Sequence, residues 1–243
     1  EDYSPTESLF VVNIHHSLAD GIAIVLLYSN LTDDPKMEEL PRFSNKMSTA
    51  RHMVLFAILP FTLIYCLYFS TIGLKYQKNC YKNKETMKKL SIEKVGCFSK
   101  DIDIDLLKSK AKDNKATLND LLMAVIGLSL KQYAKKAFND NKLSQLTCTM
   151  PFSLRTPPKH PSDFKFHNNF SMIPIDMPIE ETYEKALASA KRITKSWKTS
   201  PIPFALVYFV RGLLLLPLFA INFLLCDWAD RMTFTFSNVP GPR

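Results

Sequence analysis

The stretch SLFVVNIHHSLADGIAIVLLYSN, residues 8–30, changes its pattern twice. Residues 8–14 alternate two apolar faces, which predicts a strand buried on both sides. Asp20 stands where an N-cap would stand, before an apolar run that predicts a helix over residues 21–30. Between the two elements lies a pair of histidines. The fold is therefore predicted to present two imidazoles at the end of a strand, just before a capped helix.

Side chains alternate along a strand, so His15 and His16 are expected to point in opposite directions. We expect His15 to pack and His16 to face a channel, where an imidazole with an ordinary pKa of about 6.5 can accept a proton from an alcohol. Asp20 can orient a ring, pair with an arginine or simply cap the helix, and Gly21 leaves room for another backbone or a ligand. The alternative is a pair of packed, structural histidines. A zinc site is disfavoured because the other histidines have poor spacing for it: His52, His160 and His167.

The composition of the 243 residues, with 47% hydrophobic and 22% charged, predicts an ordered globular protein. The formal net charge of +8 favours an anionic partner, which can be lipid, nucleotide or nucleic acid. The five cysteines are an odd number and contain no CxxC pair. They are expected to be free thiols in a reducing compartment.

Residues 54–74 contain no charge and could cross a bilayer core of about 30 Å. The following residues 75–100 are rich in lysine and contain no nucleic-acid recognition motif, which favours an anionic membrane surface over nucleic acid. A second apolar stretch, residues 203–226, is interrupted by Arg211, so a buried or surface-lying helix is expected there. For residues 54–74, spanning the membrane and lying in its interface both stay open at this point.

The rest of the chain alternates patterns typical of strands and helices. Thr117 is expected to cap the longest helix, with Asp120 completing a capping box. Strands are predicted over residues 96–104, 146–154, 170–177 and 232–237, and helices over residues 105–112, 117–138 and 179–197.

HHSLADG, residues 15–21, matches the HHxxxDG motif of the CoA-dependent acyltransferase superfamily. Four later segments follow in the order found in the wax ester synthase/diacylglycerol acyltransferase family, and together the motifs extend the resemblance from residue 8 to residue 242. These segments are TLNDLLMA (117–124), MPFSLR (150–155), HNNFSM (167–172) and SNVPGP (237–242).

The resemblance implies an α/β fold with two lobes, similar to chloramphenicol acetyltransferase. In this chain it would be a fragment that lacks part of the N-terminal lobe and the final strands. The expected domains are residues 1–50, the end of the first lobe with the histidine motif; residues 51–95, an apolar helix with a basic linker; and residues 96–243, the truncated C-terminal lobe.

The resemblance also implies a reaction: transfer of a fatty acyl group from acyl-CoA to a long-chain alcohol or diacylglycerol. His16 would be the general base, and His15, Asp20 and Gly21 would hold its geometry. No bound cofactor, metal or nucleic acid is expected. If residues 54–74 crossed a membrane, His16 and Arg155 would lie on opposite sides, so attachment in the plane of the membrane is favoured. The expected location is the endoplasmic reticulum or lipid-droplet surface, facing the cytosol.

The resemblance also suggests roles for further motif residues. Arg155 is a candidate partner for Asp20 or for a CoA phosphate, or a solvated charge. Asn119 and Asp120 are expected to fix a lobe or cap a helix. His167 and Asn168 stand where the family usually has a glycine before its asparagine. Substrate contacts, or simple bonding of the loop, are expected of Asn168, Asn169 and Ser171, and a place in the channel wall of Asn238. The alternative for the whole chain is a catalytically inactive, membrane-attached homologue that binds lipid or a protein partner.

Overall fold

The computed structural model describes residues 13–31, 49–68, 79–82, 93, 95–153, 165–213 and 215–239. Most of the strand predicted over residues 8–14 lies outside these ranges, and so do residues 69–74 of the first apolar stretch and Arg155. Outcomes for those predictions are therefore restricted to the residues that are described.

The described part of the chain is a mixed α/β structure, as the sequence predicts, with seven helices and a small three-stranded sheet. The helices are α1 (Gly21–Leu31), α2 (Thr49–Tyr68), α3 (Ile104–Asp113), α4 (Leu118–Phe138), α5 (Tyr183–Thr199), α6 (Ile202–Leu213) and α7 (Leu218–Ala229). The strands are β1 (Thr147–Ser153), β2 (Phe170–Asp176) and β3 (Phe234–Thr235). The prediction of a specific two-lobed fold goes further than this and stays a prediction.

The strands are ordered β2-β1-β3, so β1 lies in the centre of the sheet. β3 runs parallel to β1, with Cys148 opposite Phe234 and Thr149 opposite Thr235. The backbone N–H of Phe236 donates to the carbonyl of Thr149 at 2.8 Å and extends the pairing beyond β3. Parallel neighbours require a long crossover, and the chain between β1 and β3 supplies it with β2 and three helices.

Contacts divide the chain into two compact units. The smaller unit is formed by Glu1–Lys46, Ser153–Phe170 and Val239–Arg243, and the larger by Met47–Phe152 and Ser171–Asn238. The two units are groups of residues that contact one another, and they do not test where one acyltransferase lobe ends and the next begins. The domain boundaries expected from the resemblance therefore stay a prediction.

The larger unit contains the main hydrophobic core, where α4 packs against α5 and α2 against α6. Met123, Leu146 and Ile173 are fully buried in it, one each from α4, the start of β1, and β2. Gly127 on α4 lies so close to the chain after β2 that an added Cβ would approach the carbonyl oxygen of Pro178 to 2.5 Å. A glycine costs helix stability, and here it allows the close approach.

One sequence prediction is wrong in this part of the chain. The predicted strand over residues 96–104 is irregular and exposed until α3 begins at Ile104, because no strand in the described ranges pairs with it. The second apolar stretch, where a buried or surface-lying helix was expected, forms two helices, α6 and α7, separated before Pro217. Proline lacks the N–H that a continuous helix needs, which explains the break.

No helix within the described ranges has both the length and the apolar character needed to cross a membrane. One of the lysines in the basic stretch also has a structural role. Lys82 donates its Nζ to the carbonyls of Met232 at 2.5 Å and Ala229 at 3.2 Å, and burial lowers the pKa of its ammonium group. It is therefore not a free cation for a membrane surface, whereas Lys100 is exposed.

The prediction that all cysteines are free is confirmed. Burial raises the pKa of the Cys66 thiol to about 11 and that of Cys148 to about 12. Both thiols are thus protonated at neutral pH, and a protonated thiol is a poor nucleophile.

Candidate active site

The two adjacent histidines lie in a tight turn before α1, and not on a strand. Residues 13–15 are irregular, residues 16–18 form the turn, and the N–H of Leu18 donates to the carbonyl of His15 at 3.0 Å. Both imidazoles are exposed. The expectation that His15 packs was therefore wrong, because it assumed the alternation of a strand at a position where the chain turns.

The two rings nevertheless differ in their surroundings. Nδ1 of His15 lies 2.7 Å from the hydroxyl of Ser17 and accepts the N–H of Ser17 at 3.3 Å. The ring of His16 meets Phe170 edge-on, with the ring centroids 6.0 Å apart. Among the described residues no side chain or backbone group hydrogen-bonds to the His16 ring nitrogens. His16 thus presents nitrogens available for a proton, whereas one nitrogen of His15 is already engaged.

Asp20 follows the turn and is buried, with only 5% of the residue exposed. One oxygen, Oδ1, accepts the N–H of Ala23 at 2.9 Å, which makes Asp20 the N-cap of α1, as the sequence predicts. The other, Oδ2, accepts the N–H of Asn169 at 2.7 Å. The carboxylate therefore joins the start of α1 to a segment about 150 residues further along the chain.

Asn168 holds the same turn through its side chain. Its Nδ2 donates to the carbonyl of Ser17 at 2.9 Å and to the carbonyl of His16 at 3.1 Å. Both Asn168 and Asn169 were candidates either for substrate binding or for bonding the loop. The geometry shows that they bond the loop, and substrate binding by either stays a prediction.

Gly21, the first residue of α1, faces the side chain of Val239. A Cβ added at Gly21 would lie 3.2 Å from Cγ2 of Val239. The glycine of the histidine motif thus gives room to the SNVPGP segment, whose residues 240–242 lie outside the described part. The sequence predicted close approach of a backbone or a ligand at Gly21, and the neighbour is instead the side chain of Val239.

The larger unit contains the remaining motif residues that are described. Asn238 donates its Nδ2 to Oδ1 of Asn119 at 2.6 Å, which ties the chain after β3 to the start of α4. Asp120 is 4% exposed and forms the capping box with Thr117, as predicted. Ser171 is buried on β2, and its hydroxyl has no hydrogen-bond partner among the described residues. Substrate binding by Ser171 or Asn238 stays a prediction. Arg155 is not among the residues that the structure describes.

Three residues that contact the histidine motif were not predicted from the sequence: Ser17, Phe170 and Val239. Ser17 could have been suspected, since a hydroxyl two residues after a histidine often bonds back to it in a turn. Phe170 and Val239 gave no signal, because an apolar residue at a strand start or in a loop has the same sequence appearance whether or not it touches a histidine.

An exposed imidazole with available nitrogens, on a turn held by a buried carboxylate and an amide, is suited to general-base chemistry on a hydroxyl. Residues 167–243 match the family model described as WS/DGAT C-terminal domain. Over these residues the chain is similar to the wax ester synthase/diacylglycerol acyltransferase family, which confirms the resemblance drawn from its motifs and indicates an acyltransferase-type enzyme.

The matched range contains Asn168, Asn169 and the SNVPGP segment, while the HHSLADG motif lies before it. No curated protein matches the chain significantly.

Proposed function

We propose that the protein transfers a fatty acyl group from acyl-CoA to the hydroxyl of a long-chain alcohol or of diacylglycerol, which makes wax ester or triacylglycerol. The observation that carries the proposal is the exposed His16 ring on a turn fastened by Asp20 and Asn168. The family match of the segment that contains Asn168 supports the same class of reaction.

In the proposed mechanism, a His16 ring nitrogen takes the proton of the acceptor hydroxyl. The hydroxyl oxygen forms a bond to the thioester carbonyl carbon, and the bond from that carbon to sulfur breaks. The proton then passes from the imidazolium to the departing CoA thiolate. General-base assistance of this kind contributes about 10²- to 10⁴-fold to a rate. Since the acyl group passes directly between substrates, no cofactor or metal takes part.

The surroundings of other nucleophiles support direct transfer. The thiols of Cys66 and Cys148 are buried and protonated at neutral pH, which disfavours an acyl-cysteine intermediate at either position. His15 is expected to hold the turn through its bond to Ser17 and not to act on substrate.

We further propose that the protein works at a lipid surface, where its acceptor and product reside, with the endoplasmic reticulum or lipid droplet as the expected location. Helix α7 supports this, because Leu218, Phe219 and Phe223 are 71%, 77% and 72% exposed and no α7 residue is buried. Apolar side chains cover most of α7, whose polar residues are Asn222 and Asp227, and such a surface favours an apolar environment. Its 12 residues rise about 18 Å, enough to lie in an interface.

The proposal is tested by incubating the full chain with labelled acyl-CoA and a panel of acceptors: a long-chain alcohol, diacylglycerol and a sterol. Ester formation is expected, and His16→Ala is expected to lower its rate by about 10²- to 10⁴-fold. His167→Ala is the matched control, since it removes another exposed imidazole from the same unit.

Full activity of His16→Ala would show that His16 is not the base. Absence of turnover with every acceptor, together with binding to lipid vesicles, would instead support the alternative, an inactive membrane-attached homologue. The exposed apolar side chains of α7 would allow such an inactive homologue to bind a membrane as well.

A further inference from the structure

Three consecutive residues hold the histidine turn from one side. Asn168 binds the carbonyls of His16 and Ser17 through its side chain, Asn169 binds Asp20 through its backbone N–H, and Phe170 contacts the His16 ring. The contacts of Asn169 differ in kind from those of Asn168, since any residue except proline could supply a backbone N–H. Only the contact of Asn168 depends on the identity of its own polar side chain.

The side chain of Asn168 is suited to this contact and has no other hydrogen-bond partner among the described residues. Its NH₂ group offers two donors, and the two carbonyls of the turn provide two acceptors, at 3.1 and 2.9 Å. The backbone does not require asparagine here, because within the described ranges only Lys115 and Asn139, among residues other than glycine, have a positive φ. The carboxamide, and not the backbone conformation, therefore explains the residue.

We propose that Asn168 is a positioning residue that acts through His16, by fixing the backbone of the turn that carries the imidazole. This rests on the proposed function, in which His16 is the base, and goes beyond it because Asn168 acts without contacting substrate. The two carbonyls belong to consecutive residues, so the carboxamide fixes the two peptides on either side of Ser17. The direction of the Cα–Cβ bond of His16 is fixed with them, and the edge-on contact with Phe170 limits the ring.

The consequence for the rate follows from geometry. A displacement of about 1 Å of a reacting group can reduce a rate by about 10²-fold. Loss of the clamp would let the turn sample other positions while the imidazole itself stays present. The expected defect is therefore in kcat, with little change in KM for acyl-CoA, because Asn168 uses its donors on the protein.

The first test compares Asn168→Asp and Asn168→Ala with the wild-type chain in the acyl-transfer reaction. Asp has the same shape as Asn and lacks both donors, and Ala lacks the group without adding charge. Both variants are expected to lose at least about 10-fold in kcat with KM for acyl-CoA nearly unchanged. The matched control is Asn114→Asp, which removes an exposed carboxamide that donates to the carbonyl of Lys110 at 2.8 Å. It is expected to retain wild-type turnover.

A second measurement needs no turnover. The N–H of Leu18 closes the histidine turn, so its hydrogen–deuterium exchange reports whether the turn is fixed. Faster exchange at Leu18 is expected in both Asn168 variants and not in Asn114→Asp. If the wild-type chain shows no transfer, the proposed function fails, and this measurement still decides whether the clamp exists.

The outcomes separate the possibilities. Unchanged exchange at Leu18 in both Asn168 variants would overturn the clamp. Faster exchange with unchanged kcat would show a structural tie with no positioning role, and a kcat loss in Asn168→Asp alone would assign the effect to the new charge. A rise in KM at constant kcat would return Asn168 to substrate binding.

Discussion

The N-termini of α1 and α4 use the same device in two parts of the molecule. At α1, Asp20 gives one carboxylate oxygen to the N–H of Ala23 and the other to the N–H of Asn169. At α4, Asp120 gives one oxygen to the N–H of Thr117 and the other to the hydroxyl of Thr194 on α5. Each carboxylate is buried, and each ties the start of a helix to a segment that is distant in sequence.

The difference lies in what stands beside the carboxylate. The turn before Asp20 carries two exposed imidazoles, whereas Asp120 is surrounded by hydroxyl groups that bond to it. A buried aspartate at a helix start is therefore not by itself a mark of a catalytic site. The available base next to it is the feature that distinguishes the α1 terminus from the α4 terminus.

The largest effect is expected for Asp20→Ala. It leaves the N–H groups of Ala23 and Asn169 without their acceptor, and the lost cap and buried donors together cost about 2–4 kcal/mol of unfolding free energy. Because the same change releases the turn that carries His16, turnover of the folded fraction is expected to fall by about 10²-fold. Urea denaturation and acyl-transfer rates measure the two effects. Normal turnover at reduced stability would show that Asp20, like Asp120, is structural only.

The sequence predicted both of these helix starts, and physical reasons explain why. An N-cap and a capping box are local patterns, so Asp20, Thr117 and Asp120 could be read directly from their own helices. The second contact of each carboxylate could not be read, since it depends on which distant segment the fold brings near. Nothing in the sequence around Asn169 or Thr194 indicates that its N–H or hydroxyl contacts a distant carboxylate.

The failures have a similar origin. The pattern of residues 96–104 favours a strand, and strand formation requires a neighbour that the sequence does not name. His15 was expected to pack because alternation was extended two residues past the predicted strand, to where the chain turns at residues 16–18. The family motifs, in contrast, directed attention to Asn168 and Asn169 with two alternatives, substrate contacts or bonding of the loop, and their contacts with the histidine turn show the second.

A smaller effect is expected for Asp120→Asn, and it should depend on pH. Burial opposes ionisation of Asp120, but hydrogen bonds from Thr194 and Thr117 overcome it and lower the pKa of the carboxyl below its ordinary 3.8. A lowered pKa stabilises the folded protein above the ordinary value, and this stabilisation is lost as pH falls through the folded pKa. The variant is expected to lose about 2–3 kcal/mol at neutral pH and progressively less in acid.

Urea midpoints of wild type and Asp120→Asn at neutral pH and below pH 3.8 provide the measurement. Asp103→Asn is the matched control, because Asp103 caps α3 through the N–H groups of Asp105 and Leu106 and is exposed. A difference between Asp120→Asn and wild type that stays constant into acid would contradict the ionised, hydrogen-bonded state of Asp120. Turnover per folded molecule is expected to stay near wild type, which is the contrast with Asp20.

The smallest effect is expected for Thr194→Val, which keeps the shape of the side chain and removes only the hydroxyl that bonds to Asp120. Asp120 retains its bonds to Thr117, so about 1–2 kcal/mol of unfolding free energy should be lost. The matched control is Thr199→Val on the same helix, whose exposed hydroxyl donates to the carbonyls of Lys195 and Ser196. Its stability should change little, because those carbonyls can bond to water.

Thr194→Val also tests the origin of the lowered pKa. Without the hydroxyl, burial of Asp120 has less opposition, so the pKa of its carboxyl should rise and acid unfolding should begin at a higher pH than in wild type. An acid-unfolding midpoint equal to wild type would mean that the bonds to Thr117, with the nearby charge of Lys198, set the pKa of Asp120. The α4 terminus would then hold its charge without the hydroxyl of Thr194, and that contact with α5 would serve only to pack the two helices together.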